Sequence, residues 1–537
     1  TLPELATDPS FALERLSLAL ERYWRTIDTQ CPVVHRPTFD PGRSTGLLGA
    51  LVTAGLSASE DERDRSLAVR LYRHLRPLLL LVRAVRHTPW LVGLTDRIQY
   101  ETSDGPASLP AFQALAILGQ VGQMLLGRHD HELSYPYSAF DVTLGRSIDL
   151  FSWRFFAKMT VALQQKTSLQ ASWVDWATVE SWRRSVSHLT PWAIFHLSRL
   201  TPDMSSVAHC ILLRDIQLCS VFQQLPTRAL SILFVRLTLP CGDDRWYASD
   251  AGAWQALAPP PELPFPQAIK TALDPKPTPV FLNPFARFCL VHGLMSVAWD
   301  VKWRGTLRAS ALESVSRNWR ASILAAYRRL RIDAATSLDL PFLTPTERGM
   351  SRTTVDLLLI AELDMLVDLT TILTFAGVDR IAARNIGPED FATAAKSVRK
   401  FALSDEGLSA AVVAADYLRS YLTVPPDETP LFAPWAIYLA TLVLWSVTSL
   451  RESPRHDTSE PSDSQASRPL PFSLRADGSR ATAVQHPGGL LTTFPRYWNA
   501  SDVALLLQTV SIALAGHVWE MSREAALVVE SLIHRKV

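Results

Sequence analysis

The sequence predicts an all-α fold, a large multi-helix protein built in two halves. Three observations predict it. Apolar residues recur at helical spacing through most of the chain, no stretch alternates apolar and polar residues long enough to make a useful strand, and no fixed-period repeat is visible. At 537 residues with 47% hydrophobic side chains, the chain is long enough and apolar enough to bury a sizeable core.

The first helix sets Phe11, Leu16, Leu20, Tyr23, Trp24 and Ile27 along one stripe, with Glu14, Arg15, Glu21 and Arg22 largely off it. It ends before Cys31-Pro32-Val33-Val34-His35-Arg36-Pro37-Thr38-Phe39-Asp40-Pro41, where the prolines forbid a continuing helix. Helices are predicted at Leu47–Ser57 and Leu67–Val85, the second kinked near Pro77. Ser108 reads as the N-cap of an apolar helix from Pro110 to about Leu126. Phe140–Leu150, Phe155–Leu163, Trp176–Ser187 and Trp192–Leu200 continue the pattern.

Between Ala256 and Pro284 prolines crowd the chain, from Pro259-Pro260-Pro261 to Pro284, and predict an extended connector. Helices resume at Phe285–Trp303 and from Ala309 to about Ile332. Thr353 to Phe375 reads as one long apolar helix closed by Gly377 in the left-handed conformation. Pro388-Glu389-Asp390 starts another, with proline in the first turn and acids at the positive helix end. Val503–Leu514 and Trp519–His534 form the last pair. The expected organisation is a helical half over residues 1–255, a Pro-rich connector over 256–284, and a second half over 285–537 with a disordered Ser/Pro/Asp-rich loop near 451–469.

Charge argues against a stand-alone DNA-binding domain. The 53 basic and 52 acidic residues nearly cancel, whereas phosphate binding calls for a basic excess. The five cysteines are odd in number and widely spaced, so they suit neither a zinc site nor a disulfide framework; free, mostly buried thiols are expected. No signal peptide opens the chain, and its start at Thr1 rather than Met suggests a segment upstream. The longest apolar stretch, Pro434 to Leu450, is shorter than the ~20 residues of a membrane span and reads as a buried core helix.

Few groups could carry chemistry. Gly127-Arg128-His129-Asp130-His131-Glu132 is the densest cluster of acid–base and metal-capable side chains, but His at i and i+2 converge on an ion only from a loop and no third ligand is near. A solvated turn is the expected reading; His129, His131 and Glu132 are catalytic candidates only if the protein is an enzyme. His209-Cys210 with Cys219 has no partner spacing for a nucleophile, and Trp182-Arg183-Arg184 beside Glu180 fits a salt-bridged scaffold better than a phosphate contact. The tryptophans stand mostly at helical spacing and predict core. Phosphate-loop, dinucleotide and nucleophile-elbow motifs are absent from the sequence.

The order of the motifs is more telling than any one of them. Tyr23-Trp24 followed by Cys31-Pro32-Val33-Val34-His35-Arg36-Pro37-Thr38-Phe39-Asp40 resembles the opening of the fungal-specific transcription factor domain, the middle homology region. Leu47 to Ser59 is similar to its next, small-residue helix. Glu180-Ser181-Trp182-Arg183-Arg184, Trp192-Ala193-Ile194-Phe195-His196-Leu197 and Leu213-Arg214-Asp215-Ile216 with Leu225-Pro226 resemble the family's Arg-Arg helix, its aromatic partner and its exit, although Ser198 stands where Asp is common. Leu239-Pro240-Cys241-Gly242-Asp243-Asp244-Arg245-Trp246 with Trp254, the apolar helix Pro434–Trp445, and Trp519-Glu520 resemble the branch that follows paired two-Cys/two-His zinc fingers.

The resemblance implies a nuclear regulator of RNA polymerase II transcription, of metabolic or secondary-metabolite genes. The implied partners are a small-molecule effector, the transcription machinery or co-regulators, and a second copy in a homodimer, with no membrane. DNA would be reached only through an upstream domain not in this chain. No cofactor is expected here, zinc belonging only to those upstream fingers. The alternative is a finger-less member turned into an enzyme or small-molecule-binding protein that uses an interhelical cavity.

Overall fold

The computed structural model describes residues 12–85, 108–132, 134, 173–174, 176–177, 180, 216–222, 239–257, 263–274, 282–308, 319–381, 384–421, 430–451, 500–533 and 535. These are helical almost throughout. They divide into two compact units, Thr1–Leu358 with Val518–Glu520, and Leu359–His517 with Met521–Val537.

In the first unit, α1 (Leu13–Thr26), α2 (Thr45–Ser57), α3 (Glu62–Val85) and α4 (Ser108–Gln120) pack together. Ser44 caps α2 by accepting from Leu47 N at 3.2 Å. The helix is rich in small residues and buried almost all round, so its neighbours approach to backbone distance. A Cβ added at Gly55 would sit 1.8 Å from the Ala19 carbonyl oxygen of α1. Around this crossing Ala19, Val52, Leu56, Leu67, Ala68 and Leu71 form a core, with Leu16, Leu48 and Leu75 against it. One buried carboxylate locks α3 to α1: Asp64 accepts from Arg15, lies 3.7 Å from Arg22 and takes the Ser59 hydroxyl at 2.8 Å. Pro77 lies inside α3, and α4 continues into a π-turn at Val121–Leu125.

Further along this unit come a second π-turn (Gln217–Val221) and the short helices α5 (Asp243–Trp246) and α6 (Ala251–Ala256). The stretch expected as an extended connector carries a helix, α7 (Phe265–Leu273). Its prolines fall at the start, where the missing N–H costs nothing, so they open the helix instead of preventing it. The long helix α8 (Pro284–Arg308) and α9 (Trp319–Leu338) pack with α7. The boundary between the compact units falls inside α10 (Pro345–Leu366).

The single helix expected over 353–375 is two. Asp368 interrupts it by accepting from Thr370 N at 3.1 Å and Thr371 Oγ1 at 2.7 Å, capping a new helix, α11 (Leu369–Phe375). Gly377 closes α11 at φ 93°, with the Val378 N–H reaching back to Leu373 O at 3.2 Å. A two-residue antiparallel pairing, β1 (Arg380–Ile381) with β2 (Arg384–Asn385), leads into α12 (Pro388–Ala402). There Asp390 accepts from Gly387 N at 3.0 Å and pairs with Arg384.

The second unit is organised on α14 (Ala433–Arg451), which packs against α11, α12, α13 (Asp405–Tyr421) and α15 (Ala500–Ala515); α16 (Glu520–Ile533) ends the described chain. By length and composition alone α14 could cross a membrane, but 83% of its apolar window is buried inside the fold. Trp445 packs tilted against Phe375 at 5.3 Å, and Arg451 caps the end of α12 by donating to Ala402 O and Ser404 O at 2.6 and 2.9 Å. The helices expected at 140–150, 155–163 and 192–200 and the loop at 452–469 lie outside the described residues, as does most of the helix expected at 176–187.

Candidate functional site

Three segments far apart in sequence meet in one aromatic cluster of the first unit. The first is the turn after α1. Cys31 N bonds back to Ile27 O at 2.8 Å, and a tight turn over Arg36–Thr38 follows, with Pro37 supplying the fixed φ. The His35 ring nitrogen Nδ1 lies 2.8 Å from Thr38 Oγ1, and Gln113 of α4 donates to Val33 O at 2.8 Å. The turn folds over the helix it leaves: Phe39 packs edge-on to Trp24 at 5.7 Å, and the Arg36 guanidinium lies over the same indole at 5.5 Å.

The second and third segments enclose His35, which is buried. Its ring meets Trp246 at 4.8 Å, Trp173 at 5.8 Å and Trp176 at 6.2 Å, all edge-on. Trp246 is wholly buried on α5. Arg245 beside it lies 4.6 Å from the Trp254 ring and 5.5 Å from Trp176, and donates to Leu257 O at 3.0 Å, which fixes the end of α6. Glu180, buried, accepts from Cys241 N and Sγ at 3.4 and 3.2 Å. Leu239 N donates to Leu263 O at 2.9 Å, so the strand-like run into α5 is held on both sides.

A buried carboxylate links the first and third segments. Asp28 accepts from the Tyr247 hydroxyl at 2.9 Å. Burial first, and the Asp28 charge second, push the Cys31 thiol up to about 12 and the Tyr23 phenol well above its ordinary value. Cys31 therefore stays a thiol and is no nucleophile. The arrangement binds chain to chain through rings, one guanidinium and buried carboxylates; it presents no activated acid, base or nucleophile among the described residues.

The His-Asp-His-Glu cluster is elsewhere in this unit and is not the solvated turn expected. Residues 128–132 are helical, and Asp130 and His131 are buried. Arg73 of α3 grips Asp130 through two bonds of 2.9 and 2.8 Å, and this bond raises the Arg73 pKa. His131 donates from Nδ1 to the Gln123 carbonyl of the π-turn at 2.7 Å and packs edge-on to Phe222 at 5.1 Å. Burial lowers its pKa to about 4, so it is neutral near pH 7. Glu132 pairs with Arg128 at 3.3 Å and His129 is exposed. The three catalytic candidates thus point to different surroundings: one in solvent, one in the core and one in an ion pair. Among the described residues no three His, Cys, Asp or Glu side chains gather as a metal site requires.

A third buried histidine was not singled out in the sequence. His292 of α8 donates from Nδ1 to Phe288 O at 2.9 Å, receives the Gln217 amide on Nε2 at 3.0 Å, and has its pKa lowered by burial to about 4. Its only sequence signal is a polar residue inside an apolar helical run. Trp182-Arg183-Arg184, Trp192–Leu197, Leu213–Asp215, Leu225-Pro226 and His209-Cys210 lie outside the described residues.

Residues 20–321, more than half of the chain, match the family described as the fungal specific transcription factor domain. The chain is 23% identical over 458 residues to the zinc finger protein klf1 of Schizosaccharomyces pombe, covering 80% of this chain and 51% of that protein. It is 24% identical over 471 residues to the nicotinate catabolism cluster-specific transcription factor of Emericella nidulans, covering 82% and 48%. To the zinc finger protein zas1 of Schizosaccharomyces pombe it is 23% identical over 463 residues, covering 81% and 45%. The chain thus spans about half the length of these relatives. No solved structure matches it.

Proposed function

From its membership of the fungal-specific transcription factor domain family, shown by the match over residues 20–321, we propose that this chain is the regulatory, middle homology region of a fungal transcription factor controlling RNA polymerase II transcription. The observation that carries the reading is that the family match, residues 20–321, contains the whole histidine–tryptophan cluster, from Trp24 and His35 to Trp246 and Trp254. A packed, chemically quiet cluster suits a region that regulates and is in turn regulated.

The rest of the reading concerns the whole protein. It works in the nucleus, reaches DNA through zinc fingers carried outside this chain, and governs genes of metabolism; two relatives named as zinc finger proteins support the fingers, and one named for a nicotinate catabolism cluster supports the metabolic genes. A small-molecule effector, co-regulators and a second copy are the partners it implies. The near-zero net charge of the chain supports DNA contact by another segment. The comparisons lend the enzyme alternative nothing.

The test is genetic and biochemical together. Deleting the gene should change the transcript levels of a defined gene set, restored by the wild-type gene and not by one encoding Trp246→Ala. In gel shift at roughly physiological salt, residues 1–537 alone should leave DNA free. Tight sequence-specific binding by this chain, or an unchanged transcriptome, would overturn the reading.

A further inference from the structure

We infer that the outer face of the last helix pair, α15 and α16, docks a second copy of this chain, with α16 lying antiparallel on its counterpart about Leu527. The inference gives the second copy of the regulatory reading its surface, and rests on that reading for nothing else.

The helix pair builds the face. Ser511 Oγ donates to Ala526 O at 3.3 Å and Ser522 Oγ to Leu514 O at 2.8 Å, so the helices run side by side in opposite directions. In such a pair the residue after each member of a contact swings to the same side, because each step turns the helix by about 100°. Ile512 and Leu527 follow Ser511 and Ala526, and both stand in water, 48% and 67% exposed. On α16 the exposed residues Arg523, Leu527 and Glu530 stand four and three apart, the spacing of a seam that packs on another helix. On α15 the exposed Gln508, Ile512 and Ala515 repeat that spacing.

Charge names the occupant. The single ionisable residue of α15 is Asp502, in its first turn. On α16, Glu520 belongs to the other compact unit and lies against Gly127, while Glu524 is half-buried and engaged within the chain. Past the helix Arg535 covers the Phe391 ring at 5.0 Å, and His534 and Lys536 lie outside the described residues. That leaves Arg523 and Glu530 on the face, one of each sign, on either side of Leu527. Arg523 donates from Nε to His517 O at 3.4 Å, and neither side chain has an ion pair among the described residues. A two-fold axis through Leu527 sets Arg523 of each copy opposite Glu530 of the other, because a symmetric contact makes every pair twice. The two charges are unmatched in one chain and matched in two. With 14 residues α16 is about 21 Å long, a small face by the measure of specific interfaces, so the dimer is of roughly micromolar affinity.

Sedimentation equilibrium of the 537-residue chain from about 1 to 100 µM, at roughly physiological salt, tests the inference. Wild type should pass from monomer to dimer across that range. Leu527→Asp should weaken association at least ~ten-fold by placing two carboxylates at the axis, and Arg523→Glu at least ~five-fold. Both positions are exposed, so the thermal midpoint should stay unchanged. The exchange Arg523→Glu/Glu530→Arg should restore association to within about two-fold, since each pair re-forms with its signs reversed. A monomer throughout the range, a dimer indifferent to Leu527→Asp, or a loss in Arg523→Glu that the exchange leaves unrestored each overturns the inference. The transcript measurement above is separate: an unchanged transcriptome beside a dimer that obeys the exchange removes the regulatory reading alone.

Discussion

Replacing Gly55 by Ala sets two effects of opposite sign against each other. Gly to Ala inside a helix stabilises by ~1 kcal/mol from propensity alone. The new methyl, however, would lie 1.8 Å from the Ala19 oxygen, 2.6 Å from its carbonyl carbon and 3.2 Å from its Cα. Ordinary contact needs about 3.4 Å, so α1 and α2 must part by roughly 1.5 Å at their crossing. That separation loosens the core of Ala19, Val52, Leu56, Leu67, Ala68 and Leu71, and overpacking of this kind costs ~1–3 kcal/mol or more. The steric effect wins, for a net loss of about 1–2 kcal/mol. Gly349 of α10 supplies the control, because a Cβ there meets Thr29 at 3.5–3.7 Å, ordinary contact. Gly349→Ala should stabilise by up to ~1 kcal/mol. Urea denaturation followed by tryptophan fluorescence separates the two, the Gly55 variant shifting its midpoint down by roughly a few tenths of a molar, since m for a unit this large exceeds the ~1–3 kcal/mol/M of small proteins. If Gly55→Ala proves as stable as Gly349→Ala, the backbone contact between α1 and α2 does not exist as described.

Four shorter predictions follow from named surroundings. Leu439→Asp places a carboxylate at a wholly buried position of α14, costs several kcal/mol and should yield insoluble or protease-sensitive protein, judged by soluble yield and limited proteolysis. Gln123→Leu should raise stability by ~1–3 kcal/mol in the same denaturation assay, because both polar atoms of the Gln123 amide are buried without a hydrogen-bonding partner. His131→Ala should lower stability by about 1–3 kcal/mol by leaving the Gln123 carbonyl unpaired, while exposed His129→Ala changes it by less than ~0.5 kcal/mol. His131 and His292 both have folded pKa values lowered to about 4 from 6.5. The unfolded chain therefore binds the extra protons first: stability is complete above about pH 6.5 and falls steadily as pH drops to 4, by several kcal/mol for the two together. Thermal midpoints measured across that window, with His292→Gln flattening the slope, check the assignment.

The helices were largely legible because periodicity and caps are local. Ser44 before α2, Gly377 after α11 and Pro388-Glu389-Asp390 opening α12 each announce a boundary through one backbone requirement. The errors came where a local rule has two outcomes. Pro266 starts α7 as readily as a proline ends a helix, and Asp368 can cap a new helix in the middle of an apolar run. The motif series named the residues of the aromatic cluster but not that His35 touches Trp246, since proximity across two hundred residues leaves no trace in either segment. The cluster around His131 hides its surroundings for the same reason. Nothing in Arg128-His129-Asp130-His131-Glu132 tells that Arg73, on another helix, neutralises Asp130 from outside.

The bond from Tyr247 to Asp28 closes a loop of 219 residues, and that span has a meaning in time. Lengthening such a loop adds little to the equilibrium cost, which grows only with the logarithm of its length. During synthesis it is a delay. At ~5–20 residues per second, roughly 10 to 40 s pass between the emergence of Asp28 and that of Tyr247. Throughout that interval His35 has no Trp246 beside it and Asp28 no phenol to bond, although α1 to α4 can already pack. The nascent chain thus carries a half-made aromatic site that only its own later residues can cover, and any arrest of translation before Trp246 leaves it open.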